Sequence, residues 1–381
     1  MIKEDERMNS AATVGNLHPE DDYMHAVSEH PSHNESMFFN FFDSEQALGG
    51  FVRIGNRPNE GVAEMTFCLF LPGGELLMQW AKPAIPSNDA FSAAGLKFQV
   101  LEPGRRLSIS YTGDAVRIKN PLEMREPGKA MRGNPALPTR LKLDVAGVGP
   151  MIGDREGTSP DAVIFLDGVG HYQQAIAATG ELSVGEDVWT VNAKGVRDHS
   201  WGPRLWHSIL RDRSLWISFG EELTLIACKT WLAGTDSPSV VPTKVGTAIG
   251  IQPTEISACA AMTERDDTAD EMGCVIEHGK VTPLRSITMR THFAPDSYYH
   301  DQVVLDVTDV NGRSFHVPGT VLAYVPLRHR KEGQETVYLG QAMTRFEWNG
   351  RHTIGLSEYF DAESTVPALI EHSRRGEFVT E

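Results

Sequence analysis

The chain has 381 residues, of which 40% are hydrophobic, so it can bury a substantial apolar core in one large or two medium domains. Its 51 acidic and 35 basic residues give a net charge of -16, which disfavours nucleic acid and anionic lipid surfaces as partners. The apolar runs are too short to span a bilayer and the first residues are charged. We therefore expect no integral membrane segment, no signal peptide and a cytoplasmic location.

The cysteines and histidines form no recognisable metal or disulfide pattern. The four cysteines are widely spaced without a CxxC pair, and no HExxH motif occurs among the 14 histidines. We expect core thiols and no metal site. The chain also contains no GxGxxG motif after a strand, no Walker loop and no GxSxG motif, so nothing predicts a nucleotide cofactor or an acyl-enzyme.

The first part of the chain changes character at about residue 26. Residues 1–25 are acidic, small and polar, which predicts a flexible acidic tail or a wrapping arm. From Met37 to about residue 182, aromatic and β-branched runs alternate with Gly/Pro turns, as is typical of antiparallel strands. Two long insertions, PLEMREPGKAMRGNPALPTR and GVGPMIGDREGTSPDA, predict either loops that cover a pocket or loops without function.

The second part continues the strand pattern to the final helix. Two Asn-Gly pairs, in DVNGRS and EWNGRH, predict hairpins, and VPALIEHSRRGE predicts a short C-terminal helix. The sequence therefore predicts an all-β fold of two barrels or sandwiches, with an N-terminal domain at 26–185 and a C-terminal domain at 186–381. Such barrels often enclose an apolar cavity, so we expect a hydrophobic small molecule as the ligand.

Charged and aromatic residues are concentrated near the middle of the chain, in VNAKGVRDHSWGPRLW. Within it, GVRDHSWGPR resembles a signature segment of the carotenoid hydratase family, also called hydroxyneurosporene synthase-like proteins. HNESMFFNFFD, GGFVRIGNRPNEG, HYQQ and LSEYFD are more weakly similar to a mostly uncharacterised bacterial branch of that superfamily. The resemblance implies two lipocalin-like β domains and hydration or cyclisation chemistry without an organic cofactor.

The resemblance also suggests which residues carry the chemistry. The family's histidine and tryptophan, two positions apart, match His199 and Trp201. Its tyrosine and aspartate on a following strand fall at LTLIACKTW, which has neither residue, so a different proton donor is needed. Asp198 is the first choice, because a carboxyl group in an apolar pocket stays protonated near neutral pH. His199 would direct water or remove a proton.

Other residues complete the predicted site. Glu35 is the alternative proton donor, and the faces of Trp201 and Trp206 would stabilise a carbocation by on the order of 1 to 2 kcal/mol per contact. Further substrate-binding candidates are Arg204, His171, Tyr172 and Arg53.

Strand geometry leaves an alternative for the central motif. Adjacent residues of a strand face opposite sides, so Asp198 and His199 cannot both line one cavity in a regular strand. In the alternative, the motif is a structural clamp in which polar side chains bind each other and the backbone at the domain junction.

These observations predict a cofactor-independent lyase or isomerase of the hydratase, dehydratase or cyclase type. Its substrate would be a hydrophobic isoprenoid-like or polycyclic molecule. The alternatives are a non-catalytic carrier of hydrophobic ligands and an interaction module whose acidic tail contacts a partner. The sequence also leaves a homodimer open.

Overall fold

The computed structural model describes residues 13–155, 170–203, 209–232, 269–330 and 333–381. These ranges contain two extended β-sheets and two short α-helices. Neither helix in the described part has the length and apolar character needed to cross a membrane.

The first sheet closes into a barrel. Eight of its strands follow one another around a ring, and the last of the eight pairs back with the first. The ring, in order, is β2 (His33–Asp43), β3 (Leu48–Arg57), β4 (Val62–Phe70), β5 (Leu76–Ala81), β8 (Arg106–Ile118), β9 (Ala136–Gly147), β11 (Gly170–Val184) and β12 (Asp187–Pro203). The remaining strands lie outside the ring. β7 (Leu96–Glu102) pairs with β8, and β6 (Ser92–Ala93) pairs with β7. β10 (Met151–Asp154) pairs with β11, and β1 (Thr13–Gly15) pairs with β10.

The second sheet forms a second ring of eight strands, each paired with the next along the chain. The ring is β13 (Ile209–Ser218), β14 (Thr224–Leu232), β15 (Asp270–Glu277), β16 (Lys280–Phe293), β17 (His300–Asp309), β18 (Ser314–His329), β19 (Val337–Trp348) and β20 (Arg351–Ala362). The last strand, β21 (Val379–Thr380), pairs with β16. This up-and-down closure is that of lipocalins.

Local sequence signals account for several of these elements. Asn349 and Gly350 both have positive φ at the turn between β19 and β20, as a two-residue hairpin turn requires. The C-terminal helix α2 (Val366–Ser373) lies where it was predicted. The first long insertion forms a 3-10 helix, Pro121–Arg125, and the helix α1 (Pro127–Gly133). The predicted all-β class with two lipocalin-like domains and a short C-terminal helix is confirmed.

The sheets divide later than the predicted boundary after residue 185. That position lies in the turn between β11 and β12, which pair with each other within the first sheet. Val191 and Ala193 of β12 also belong to the core of the first barrel. The chain changes sheets between Pro203 and Ile209, where we propose the domain boundary.

The two barrels pack through β2, which is buried along its whole length. Its inward residues, Met37, Phe39 and Phe41, lie in the core of the first barrel. The alternate residues Phe38 and Phe42 join an apolar cluster that includes residues of the second barrel. The aromatic run FFNFF therefore contributes side chains to two cores, because successive side chains of a strand point to opposite faces.

Candidate functional site

The strand β12 divides the central motif between two environments. Its residues pair with β11 and β2, so side chains on one register row share one face of the sheet. Two groups of predicted site residues result. One points into the first barrel and consists of Glu35, Tyr172, His199 and Trp201. The other lines a cavity between the barrels and consists of Arg53, His171 and Asp198. Arg204 and Trp206 lie outside the described residues.

The inward group is built around the carboxylate of Glu35. Glu35 and His199 are fully buried, and His199 Nε2 lies 3.1 Å from Glu35 Oε1. His25 Nδ1 lies 2.8 Å from the same oxygen, and Asn88 donates a hydrogen bond to Glu35 Oε2. Burial alone would raise the pKa of Glu35, but hydrogen bonds from His199 and His25 lower it to about 2. Burial lowers the pKa of His199 and so favours its neutral ring.

A second inward cluster surrounds Arg197, whose side chain is fully buried. Its guanidinium donates to both carboxylate oxygens of Asp22, at 2.7 and 3.0 Å. Tyr172 donates to Asp22 at 2.7 Å, and Arg197 Nε donates to Gln174 at 2.9 Å. Burial opposes ionisation of Asp22, but the charge of Arg197 keeps the pKa of Asp22 below its usual range. The charges therefore neutralise each other inside the barrel.

These contacts hold the segment before β2 against the barrel. Asp22 belongs to the 3-10 helix Pro19–Asp22, and the ring of His25 stacks on Trp201 at 3.7 Å. Gly170 makes room for Trp201, because a Cβ at Gly170 would lie 2.1 Å from that ring. From Thr13 onward the segment therefore fits the predicted wrapping arm and not the flexible tail, since Asp21 and Asp22 are buried and paired. The inward half of the motif makes the contacts of a structural clamp.

Three side chains of the inward group around Glu35 are potential metal ligands. The ligand atoms of His25, Glu35 and His199 all lie within 4.8 Å of one another. However, Glu35 already accepts from both rings and from the His25 backbone N–H. A histidine that binds a metal usually donates its other ring nitrogen to an acceptor, whereas His199 Nδ1 has no partner among the described residues. The geometry thus fits a hydrogen-bonded cluster better than a metal site.

A cavity of about 970 Å3 lies between the two barrels. Both barrels and the first insertion contribute to its walls. Apolar side chains in these walls include Phe38, Phe51, Met78, Met124, Trp216 and Phe360. Its size and apolar character are those of sites for small molecules.

The wall from the first barrel follows one register row across six strands. In order from β11 to β5, the row is Gln173, Asp198, Phe38, Arg53, Thr66 and Trp80. All six residues line the cavity. Arg53 lies 3.8 Å from Glu64, which also contacts Arg57, so the row places an ion-pair network at this wall.

The wall from the second barrel consists of two neighbouring rows. The first is apolar except at its end and runs from β18 to β13 through Leu327, Leu339, Phe360 and Asp212. The second row is polar and contains Gln341, Glu358 and Ser214. The Gln341 amide donates to the Glu358 carboxylate across the two strands. The carboxyl group of Asp212 therefore lies at the end of the apolar row and next to the polar row.

Asp212 is the buried carboxyl group of this wall, and the residue is 4% exposed. Thr230 donates to it at 2.6 Å, Ser214 at 2.8 Å and Cys228 at 3.2 Å. Burial raises the pKa of Asp212, and these hydrogen bonds offset only part of the increase. Asp212 is therefore an acid that holds its proton to higher pH than an exposed aspartate.

The first insertion covers one side of the cavity. Met124 of its 3-10 helix and Met131 of α1 both line the wall. This favours the alternative in which the first insertion covers a pocket. The second insertion contains β10 (Met151–Asp154), and its residues 156–162 lie outside the described residues.

Comparison with known proteins identifies a family. A model described as a domain of unknown function, DUF7064, matches residues 18–363. The chain belongs to the DUF7064 family. No curated protein gives a significant match to it.

Several solved structures are similar to this DUF7064 chain at low identity. CghA with Sch210972 has a TM-score of 0.48 and 11% identity over 87% of this chain and 88% of that chain. A putative AttH from Nitrosomonas europaea has a TM-score of 0.48 and 9% identity over 88% and 96%. Kievitone hydratase from Nectria haematococca has a TM-score of 0.45 and 8% identity over 92% and 95%. The strand pairing of the chain itself, not this likeness, establishes its fold.

Sequence reasoning missed Asp212 and Gln341 of this DUF7064 protein. A signal for Asp212 is present in RDRSLWIS, where Asp212, Ser214 and Trp216 alternate with Leu215 and Ile217. That alternation indicates a strand with an apolar face in the barrel core and a second face that carries both polar and aromatic residues. The second face is suited to contact a ligand or a neighbouring domain. The narrower resemblance to carotenoid hydratases stays a prediction, because the matching family has no known function.

Proposed function

We propose that this protein is a cofactor-independent lyase or isomerase of the hydratase, dehydratase or cyclase type. Its substrate is an apolar small molecule, isoprenoid-like or polycyclic, bound in the cavity between the barrels. One observation carries the proposal. A cavity of about 970 Å3 has in its wall a buried carboxyl group, Asp212, whose pKa is raised by burial.

Asp212 is the proposed proton donor. In a hydration, its O–H proton goes to one carbon of an alkene and a C–H bond forms. The cationic carbon is stabilised by the faces of Trp216 and Phe360, which lie in the same wall. Water then forms a C–O bond to that carbon. Its surplus proton returns to the Asp212 carboxylate, directly or by way of Glu358, and restores the acid. A dehydration runs through the same steps in reverse.

The relation of Asp212 to Glu358 supports an acid and a base in one wall. Glu358 is two residues from Phe360, the residue directly opposite Asp212 on the neighbouring strand. Such diagonal neighbours are roughly 7–8 Å apart in an antiparallel sheet. The two carboxyl groups therefore belong to neighbouring rows of one wall.

The first experiment presents the purified protein with a panel of isoprenoid and polycyclic alkenes and alcohols. Native mass spectrometry identifies the compounds that bind, and chromatography then identifies the compounds that are converted. We expect a product that differs from its substrate by one water, or an isomer of equal mass. The Asp212→Asn variant keeps binding but converts the substrate at least about 100-fold more slowly, because it cannot donate the proton.

The matched control is Asp144→Asn, which changes an exposed aspartate of β9 and keeps the wild-type rate. A wild-type protein that binds apolar molecules and converts none of them is a carrier, which contradicts the enzyme proposal. An unchanged rate in Asp212→Asn removes Asp212 from the mechanism.

A further inference from the structure

Two buried amide oxygens belong to residues that line the cavity, one from each barrel. Gln173 belongs to the wall of the first barrel and Gln341 to the wall of the second, and each side chain is only 2% exposed. Neither Gln173 Oε1 nor Gln341 Oε1 has a hydrogen-bond partner among the described residues. Leaving a buried polar atom without a partner is costly, so such atoms are rare without a reason.

The orientation of Gln341 is fixed by its neighbour. Its Nε2 donates to a carboxylate oxygen of Glu358, which can only accept. The carbonyl oxygen of Gln341 must therefore point away from Glu358. Gln341 lines the cavity, and this oxygen has no hydrogen-bond partner among the described residues.

We infer that the cavity binds a molecule with an apolar body and at least two hydrogen-bond donors, hydroxyl or N–H groups, one held by each barrel. The inference rests on the proposed function, since it concerns the ligand of the same cavity. Gln173 and Gln341 accept the two donors, and the apolar rows between the barrels contact the rest of the molecule. A pure hydrocarbon leaves both acceptors unpaired and is discriminated against.

The arrangement also sets the orientation of the ligand. Each glutamine comes from a different barrel, so a ligand with donors at both ends bridges the two sheets. Gln341 lies on the row next to the row that ends in Asp212. A donor held at Gln341 therefore fixes the part of the molecule that lies beside the proposed acid.

Three matched probes test this inference by isothermal titration calorimetry. They are 4,4′-dihydroxybiphenyl with two donors, 4,4′-dimethoxybiphenyl with oxygens but no donor, and biphenyl. We expect the dihydroxy probe to bind the wild-type protein about 10-fold more tightly than the other two. In Gln173→Leu and Gln341→Leu, its affinity falls about 10-fold, the range expected when a buried hydroxyl loses its acceptor. Biphenyl binds these variants within twofold of wild type.

The controls are Gln99→Leu and Gln302→Leu, which change exposed glutamines on β7 and β17 and leave all three affinities unchanged. The wild-type comparison of probes needs no variant, so it decides the matter even if a substitution prevents folding. Equal affinity for all three probes overturns the inference but leaves the apolar cavity in place. Failure of every probe to bind overturns both the inference and the proposed function.

Discussion

Among the described residues, each barrel contains one fully buried arginine with a tyrosine ring beside it, but the two arginines differ in their acidic partners. In the first barrel, Arg197 faces one carboxylate, Asp22, and lies 5.1 Å from the Tyr172 ring. In the second barrel, Arg213 lies 4.4 Å from the Tyr359 ring and donates to two carboxylates, Asp361 and Glu381.

The additional carboxyl group changes the titration of the second barrel. Burial raises the pKa of Asp361 to about 6, and the charge of Glu381 opposes its ionisation further. The pKa of Glu381 is lowered instead by Arg213, although burial opposes this. In the first barrel, the pKa of Glu35 is lowered to about 2. Asp361 of the second barrel and Glu35 of the first therefore respond to pH in opposite directions.

The largest expected effect is that of removing either arginine. Arg197→Leu and Arg213→Leu each leave carboxylates buried without a counter-charge, which costs about 3–5 kcal/mol of the free energy of unfolding. Urea denaturation at pH 8 measures this loss. At pH 5 the loss is smaller for Arg213→Leu, because Asp361 already holds a proton there in the wild-type protein. An equal loss at pH 5 and pH 8 in Arg213→Leu contradicts this role of Asp361.

The next effect concerns acid stability of the first barrel. The pKa of Glu35 in the folded protein, about 2, lies below the unfolded value of 4.5. Its contribution is therefore complete above pH 4.5 and is lost as the pH falls towards 2. Glu35→Gln lowers the free energy of unfolding by about 3 kcal/mol at pH 7 and by much less at pH 3. A loss of the same size at both pH values, measured by urea denaturation, disproves this linkage.

The second barrel shows the opposite slope. The pKa of Asp361 rises from 3.8 to about 6 on folding, so its stabilising contribution is complete below pH 3.8 and is lost as the pH rises through 6. In Asp361→Asn, the change in unfolding free energy between pH 4 and pH 7 differs from that of wild type by about 2 kcal/mol. Parallel stability curves for the two proteins show that Asp361 does not titrate in this range.

The smallest effect on stability is expected in the cavity. Burial also raises the pKa of Asp212, and Asp212→Asn keeps the shape of the neutral side chain. We expect a change below about 1 kcal/mol, measured by thermal unfolding, although turnover falls at least about 100-fold. Thermal unfolding of Ser214→Ala provides the comparison, because it removes one donor to Asp212. A loss above 3 kcal/mol in Asp212→Asn assigns that residue to the fold and not to chemistry.

Strand alternation was sufficient to predict part of this site from the sequence. It predicts that Asp198 and His199 face different sides, and the register of β12 confirms this. It does not predict what lies on each side. Arg197 and Asp22 are 175 positions apart, and such a pairing follows from barrel closure, not from local pattern. Asp212 was missed because its exposed or buried state depends on how the second barrel docks against the first.

The location of a bound apolar molecule tests most directly whether the chemistry belongs to the cavity and not to the interior of the first barrel. A crystal soaked with 4-iodobiphenyl gives anomalous density that marks the iodine position. We predict density between Phe38 and Phe360, within reach of Asp212 and Gln341. Density inside the first barrel, where the rings of His199 and Phe91 are in contact, would contradict the assignment. It would place the site among the inward residues Glu35, His199 and Trp201.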